Sequence, residues 1–269
     1  MYIKNNKSQI FLTKDRFIDS DPILFLHGFS GSSSCWTDIR KEISAPTLAI
    51  DIPGHNRSYF LNLEEEYTYK DFRSELFLIL NHINIKKVHL LGYSMGGRLA
   101  ISFAQKYPEL VKSLILESSS LGLVSYEEKQ MQIEKDNKLI ELINTSMNEF
   151  ASHWSKNPLF TNQESRNKDD FNKLNDNRLK HNKEQLSKSL SSLSKANMPA
   201  FIEAFSTIDC PIYLINGKDD TKYIKINRDM MKVNKKAKQF IINSSSHNVH
   251  IENKNDFILT INNILKDFS

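Results

Sequence analysis

A chain of 269 residues, 39% of them hydrophobic, is long enough to bury a sizeable core and fits one large α/β domain or a core carrying an insertion. Its 36 basic and 32 acidic residues leave a net charge of only +4, evenly spread, which argues against a nucleic-acid partner and reads as solvated faces. The start MYIKNNKSQI lacks the apolar stretch of a signal peptide, and no run approaches the roughly 18 apolar residues of a membrane span, so a cytoplasmic protein with no membrane partner is expected. Cys35 and Cys210 lie far apart with no CxxC or His-rich neighbourhood. Neither a disulfide framework nor a zinc site is supported, and both cysteines read as small buried hydrophobes.

Short apolar runs alternate with longer segments of helical period, the pattern of an α/β fold with a mostly parallel sheet flanked by helices. In chain order, strands are expected at 9–12 (QIFL), 23–27 (ILFLH), 47–51 (TLAID), 88–92 (VHLLG), 113–117 (SLILE), 212–217 (IYLING) and 239–242 (QFII). Helices are clearest at 68–83, 95–106 and 255–266. ILFLH and VHLLG are almost continuously apolar, as central strands covered on both faces should be. The pattern breaks after residue 117. From about Leu121 to Lys195 the chain turns polar and helical in period, with Met131, Leu139, Ile140, Ile143 and Met147 spaced to share one helical face. This predicts a helical cap, residues 120–196, set between two parts of a core, 1–119 and 197–269.

VHLLG runs into Gly92-Tyr93-Ser94-Met95-Gly96, and MGGRLAISFAQK then begins a helix. Between a buried strand and a helix, GxSxG describes the nucleophile elbow, a turn so tight that Ser94 is strained and flanking side chains would collide. A serine hydroxyl is a weak nucleophile and a weak base at neutral pH, so a general base and a group that orients it must follow downstream. Asp220, in a G-x-x-D turn after the 212–217 strand, is the chosen acid, with Asp219 its rival. After QFII the loop NSSSHNVH offers His247, near enough to the strand end to reach Ser94 and Asp220, whereas His250 opens the next helix. His82, His89, His153 and His181 read as structural.

Two backbone N–H donors must converge to make an oxyanion hole: Met95 after the nucleophile, and Phe29 in the loop His27-Gly28-Phe29-Ser30-Gly31. His27 is expected to brace that loop and to reach the substrate. Arg98 follows Ser94 by four residues and can face the same side of the helix. A guanidinium there points to a substrate bearing a carboxylate, the group arginine grips best; the alternative is a structural arginine bridging helix and loop.

Taken together, GYSMGGRLA, LFLHGF, DIPGH, the cap segments EEKQMQIEKD, WSKNPLF and NRLKHN, and the ending GKDDTKY…SSHNVHIE resemble the 2-succinyl-6-hydroxy-2,4-cyclohexadiene-1-carboxylate synthases of menaquinone and phylloquinone biosynthesis, over about residues 23–255. The resemblance implies a carbon–oxygen lyase on an α/β-hydrolase scaffold, acting on a small anionic cyclohexene with three carboxylates and releasing pyruvate. It implies that Ser94 serves as base rather than nucleophile, with no metal or cofactor. By the same matching, Tyr93, Arg98, Trp154 and Arg178 line the site, Arg98 and Arg178 gripping carboxylates at roughly 1.5 to 3 kcal/mol per charge-assisted bond. The family's third arginine, in a cap helix, is Gln132 here, a neutral amide that can donate to a carboxylate without neutralising it; Lys129 or Lys135 could compensate. Asn56 stands where glycine is common, a change Asn tolerates in left-handed backbone. The alternative activity is a serine hydrolase acting on a carboxylate-bearing ester, thioester or carbon–carbon bond. A monomer or small homo-oligomer is expected.

Overall fold

The computed structural model describes residues 1–14, 20–160 and 162–268. Among them nine strands form one sheet: β1 (Tyr2–Lys4), β2 (Ser8–Lys14), β3 (Ile23–Leu26), β4 (Thr47–Ile50), β5 (Tyr59–Phe60), β6 (Val88–Tyr93), β7 (Val111–Glu117), β8 (Ile212–Gly217) and β9 (Ala237–Ile242). Their order is β1-β2-β4-β3-β6-β7-β8-β9, with β5 paired to β2. Every pairing from β4 to β9 is parallel, while β1, β2 and β5 pair antiparallel at one edge.

Alternate side chains of the central strands divide between two apolar layers. Leu24, Leu26, Leu48, Ile50 and Leu90 pack with Phe72, Leu76, Leu99 and Phe103 of helices α2 (Tyr69–His82) and α3 (Met95–Lys106). Ile23, Phe25, Ala49 and Leu91 pack with Ile39, Phe257 and Ile261 of α1 (Thr37–Glu42) and α12 (Lys254–Lys266). Covered on both faces, β3, β4 and β6 are buried at every position, which is why they read as unbroken apolar runs. Helix α2 starts one residue later than its apolar period suggests, because Thr68 and Asp71 close a capping box.

Among the described residues, five α-helices form the insertion that follows β7: α4 (Tyr126–Thr145), α5 (Met147–Ser155), α6 (Gln163–Arg166), α7 (Lys168–Leu179) and α8 (Lys183–Leu193). Leu139, Ile143, Phe150, Leu186 and Leu190 make a small separate core there, and Phe29 reaches up from the sheet to pack on Phe150 at 6.2 Å. Helices α9 (Ile202–Ser206), α10 (Thr221–Val233) and α11 (Val249–Glu252) follow the insertion, in the second part of the core. Two expectations need correction. Met131 is exposed and Met147 opens the next helix, because on a helix Met131 lies about 80° around from Leu139 and the helix ends before residue 147. Cys35 and Cys210 are half-buried rather than enclosed, and Cys35 lines a cavity.

Buried histidines tie the helical layer to the sheet loops. His181, just past α7, accepts the Asn56 N–H at Nδ1 (2.8 Å) and donates from Nε2 to the Ser30 carbonyl (3.1 Å). It meets His55 edge-on at 5.4 Å, and His55 in turn meets His27 at 4.9 Å. Asn56 adopts the left-handed region, φ 48°, to bring its N–H there. Gln185 exchanges two hydrogen bonds with the backbone of Phe60 (2.7 and 3.2 Å). Burial lowers the pKa of all three histidines, of His181 to about 4, and the neighbouring imidazoles push His55 lower still. The unfolded chain protonates these groups near pH 6.5 while the folded chain keeps them neutral, so unfolding takes up protons below that pH. Their contribution is intact above about pH 6.5 and is lost as pH falls toward about 4. Thermal unfolding followed over that window will show a falling midpoint, and His181→Asn will flatten the slope by about one proton. An unchanged slope would remove His181 from this account.

Candidate active site

The chain reverses from β6 into α3 through Ser94, whose φ of 49° and ψ of -105° lie outside the regions L residues favour. Close packing enforces the turn: a Cβ on Gly92 would lie 2.5 Å from Gly97 Cα, and one on Gly96 2.4 Å from the Leu26 carbonyl oxygen. Ser94 is held by its N–H to the Glu117 carbonyl (2.9 Å) and by the Ser119 hydroxyl donating to its own carbonyl (3.0 Å). Its side chain therefore stands at the carboxyl edge of the sheet, beside the N-terminus of α3.

Across from it, His247 Nε2 lies 3.4 Å from Ser94 Oγ, and His247 Nδ1 lies 2.9 Å from Asp220 Oδ2. Asp220 caps α10, its other oxygen accepting the Tyr223 N–H at 3.2 Å, and it is buried. The rival Asp219 faces outward and pairs with Arg166 of α6. The Tyr223 ring, 4.6 Å from that of His247 and invisible to motif reasoning, walls the imidazole. Its sequence signal is only its place three residues after Asp220.

Among the described residues, no acceptor takes the N–H of Phe29 or of Met95. The Phe29 loop is fixed by its neighbours: Ser30 donates its N–H to His55 Nε2 (3.1 Å), and Gly28 leaves room for the Tyr93 ring, which a Cβ would approach to 2.7 Å. His27 uses both ring nitrogens on backbone, Nε2 accepting from Ile52 (2.9 Å) and Nδ1 donating to the Gly28 carbonyl (2.7 Å). It braces the loop and has no polar atom left for a substrate, which corrects its expected contact. Phe29, Tyr93, Trp154, Phe160 and Arg178 line one small pocket, with Trp154 packed edge-on to Phe29 at 5.4 Å.

Two guanidinium groups stand buried with no ion-pair partner among the described residues. Arg98, 7% exposed, makes no hydrogen bond there, and its Nε is enclosed without a partner. Arg178, 2% exposed, bonds only the neutral Ser30 hydroxyl and Asn175 amide. Burial lowers both pKa values, that of Arg178 to about 10, and both remain cations at neutral pH. Gln132 does not point its amide into free space: it donates to Asp136 Oδ1 (2.7 Å), while Ser194 takes Oδ2. Both oxygens of the one carboxylate that bears on Arg98 are thus occupied. Of the lysines expected to compensate, Lys129 is half-buried and Lys135 exposed. Lys195, which no motif flagged, is the cation whose charge reaches Arg98, its pKa lowered to about 8 by burial and by Arg98 and Lys222.

Behind the site, the buried Glu117 carboxylate accepts from His250 Nδ1 at 2.8 and 2.9 Å and from its backbone N–H at 3.0 Å. Burial works against charge on this imidazole, but the adjacent Glu117 carboxylate outweighs it and raises the pKa to about 9.

With this geometry, a family model described as the alpha/beta hydrolase fold matches residues 21–254. A putative 2-succinyl-6-hydroxy-2,4-cyclohexadiene-1-carboxylate synthase from Bacillus subtilis (strain 168) is 34% identical over 87% of this chain and 86% of its own. The chain belongs to the 2-succinyl-6-hydroxy-2,4-cyclohexadiene-1-carboxylate synthases of the α/β-hydrolase fold. A synthase of the same name from Enterobacter sp. (strain 638) is 29% identical over 86% of each chain. The solved structure of MenH from S. aureus superposes with a TM-score of 0.90 at 24% identity, covering 96% of this chain and 98% of that one, and shows the same fold. No helix among the described residues of this synthase is long and apolar enough to cross a membrane.

Removing an uncompensated buried charge is neutral or stabilising, so Arg98→Met will keep or raise the unfolding midpoint while cutting turnover of a carboxylated substrate about 100-fold or more. A midpoint that collapses instead would make Arg98 structural. Ser94→Gly will relieve the strained φ, raising stability by about 1 kcal/mol in denaturant titrations while abolishing activity.

Proposed function

We propose that the chain releases pyruvate from 2-succinyl-5-enolpyruvyl-6-hydroxy-3-cyclohexene-1-carboxylate by 2,5-elimination, with Ser94 as base, giving 2-succinyl-6-hydroxy-2,4-cyclohexadiene-1-carboxylate. The observation that carries this reading is the pair of buried guanidinium groups left without carboxylates, Arg98 and Arg178, beside a Ser94–His247–Asp220 relay. A buried cation without a partner is costly, and a substrate carboxylate removes that cost on binding.

His247 takes the Ser94 proton, and the alkoxide removes the ring hydrogen at C2, which is acidic because it lies next to the succinyl ketone. Asp220 holds the imidazole in orientation and stabilises its charged form. As the C2–H bond breaks, its electrons form C2=C3, the C3=C4 pair moves to C4=C5, and the C5–O bond breaks, releasing the enolate of pyruvate, which takes up a proton. The ketone oxygen carries the developing charge, and the N–H groups of Phe29 and Met95 are its donors; each such donor contributes about 10²- to 10³-fold in rate. Arg98 and Arg178 fix the carboxylates, Trp154 and Tyr93 supply apolar walls, and Gln132 acts at one remove by holding Asp136. Pyruvate enolate leaves readily once the carbanion is delocalised, so these side chains suffice for the chemistry.

The test is pyruvate release from the enolpyruvyl precursor, generated in situ by the preceding synthase, beside a panel of nitrophenyl esters. Fast release with negligible ester turnover is expected, falling about 10³-fold or more in Ser94→Ala. Ester hydrolysis with no pyruvate above the spontaneous background would sink this reading and leave a serine hydrolase for carboxylated substrates.

A further inference from the structure

The loop that presents His247, between β9 and α11, brings both neighbours of that histidine onto one carboxylate. Glu252 accepts the N–H of Ser246 at Oε2 (2.9 Å) and that of Asn248 at Oε1 (3.4 Å), the residues immediately before and after His247. Oε1 also accepts the Ser246 hydroxyl at 2.5 Å. The Glu252 side chain is fully enclosed, and it takes no part in the elimination steps derived above. Hydrogen bonds to a buried carboxylate are stronger than those between neutral groups, so the backbone from which the imidazole projects has little freedom.

The counter-charge comes from the cap. Arg166, the last residue of α6, places one guanidinium nitrogen on Glu252 Oε2 and the other on Asp219, the neighbour of Asp220. Among the described residues it is the cation paired with Glu252. Asp219 is tied to the same loop by its N–H, which donates to the Ser245 carbonyl at 3.0 Å. One cap side chain therefore spans the two segments that carry the imidazole and the carboxylate of the relay. Asn167, the next residue, donates from Nδ2 to the Ile251 carbonyl (3.1 Å) and seats α6 against α11. The relay is sensitive to such support: His247 Nε2 and Ser94 Oγ are 3.4 Å apart, near the limit of a hydrogen bond. A displacement of about 1 Å can cost about 10²-fold in rate.

We propose that Glu252 is a positioning residue for His247, and that Arg166 makes this positioning depend on the docking of α6. With α6 seated, the Arg166–Glu252 pair holds the N–H groups on either side of His247 and the imidazole faces Ser94. With α6 displaced, Glu252 is a buried carboxylate without a counter-cation, and the loop is no longer fixed. The cap thereby acts on the chemical step as well as on substrate binding. The proposal rests on Ser94 and His247 forming the proton relay assigned above, whether that relay serves elimination or ester hydrolysis.

The experiment measures kcat and KM for pyruvate release, with nitrophenyl ester hydrolysis beside it, and records the imidazole nitrogen resonances of His247, assigned by their loss in His247→Gln. Glu252→Gln, which puts a donor where an N–H needs an acceptor, and Arg166→Met should each lower kcat about 10- to 100-fold with KM held within about 2-fold, because Arg98 and Arg178 still grip the substrate. The His247 resonances should move in both. Adding Arg166→Met to Glu252→Gln should cost no further kcat beyond about 2-fold, since one residue acts through the other. Lys173→Met, which breaks a different cap ion pair, with Asp38 and Asp170, should leave kcat and the resonances unchanged. Unmoved resonances or an unchanged kcat in Glu252→Gln overturns the positioning role, and if that variant does not fold, Arg166→Met carries the same two readouts. Losses that multiply in the double variant overturn the link to the cap, as does an equal loss in Lys173→Met, which would reduce the effect to a loosened cap. Because the resonances need no turnover, failure of the elimination reading is distinguished from failure of this one.

Discussion

The close approach of α3 to the ends of β3 and β6 is the constraint on which the site depends. Gly96 lies against the carbonyls of Leu26 and His27, and Gly97 against Ser119, with no room for a Cβ at either. That contact brings three things to one point: the strained Ser94, the free N-terminus of α3, and the loop that begins at His27. Strain of this kind, of order 1–3 kcal/mol, persists only where surrounding structure over-determines it. Here β6 lies at the centre of a parallel sheet, hydrogen-bonded by β3 on one side and β7 on the other. The N–H groups of Phe29 and Met95 are placed by the same packing, since Phe29 follows β3 and Met95 begins α3, the elements that touch there.

Charge is treated in two opposite ways around this point. Where a buried charge serves the scaffold it is paired, as Glu117 is with His250 and Asp51 with Arg57. At the proposed substrate site, Arg98 and Arg178 have no ion-pair partner among the described residues, and the carboxylate nearest in effect to Arg98 is occupied by Gln132 and Ser194. The neutral amide of Gln132 thus has a definite partner. It holds the Asp136 carboxylate, and Lys195, two residues past α8, supplies positive charge. The uncompensated guanidinium groups lower stability, a burden the two apolar layers of the sheet can carry.

The histidines divide along the same line between scaffold and chemistry. His247 sits between a serine and a carboxylate; His27, His55 and His181 hold one another and the backbone, neutral through burial. Nothing local distinguishes these classes, because an imidazole's role depends on which groups reach its two nitrogens.

The central strands, the elbow with Ser94, and the choice of Asp220 and His247 were legible in the sequence, because each rests on a local rule: unbroken apolar runs, glycines at a tight turn, residues at strand ends. Strands β1 and β5, three and two residues long at the antiparallel edge, escaped notice because they are too short to show a period. The exposure of Met131, the bracing role of His27, the tie between Gln132 and Asp136, and the Glu117–His250 pair were decided only by the tertiary structure. Each depends on groups far apart in the chain, or on which face of a helix meets a neighbour, and hydrogen-bond partners across such separations leave no mark on local periodicity. The residue types and order that make catalysis possible are written in the chain; which charges stay unpaired, and therefore what the site can bind, is settled by packing.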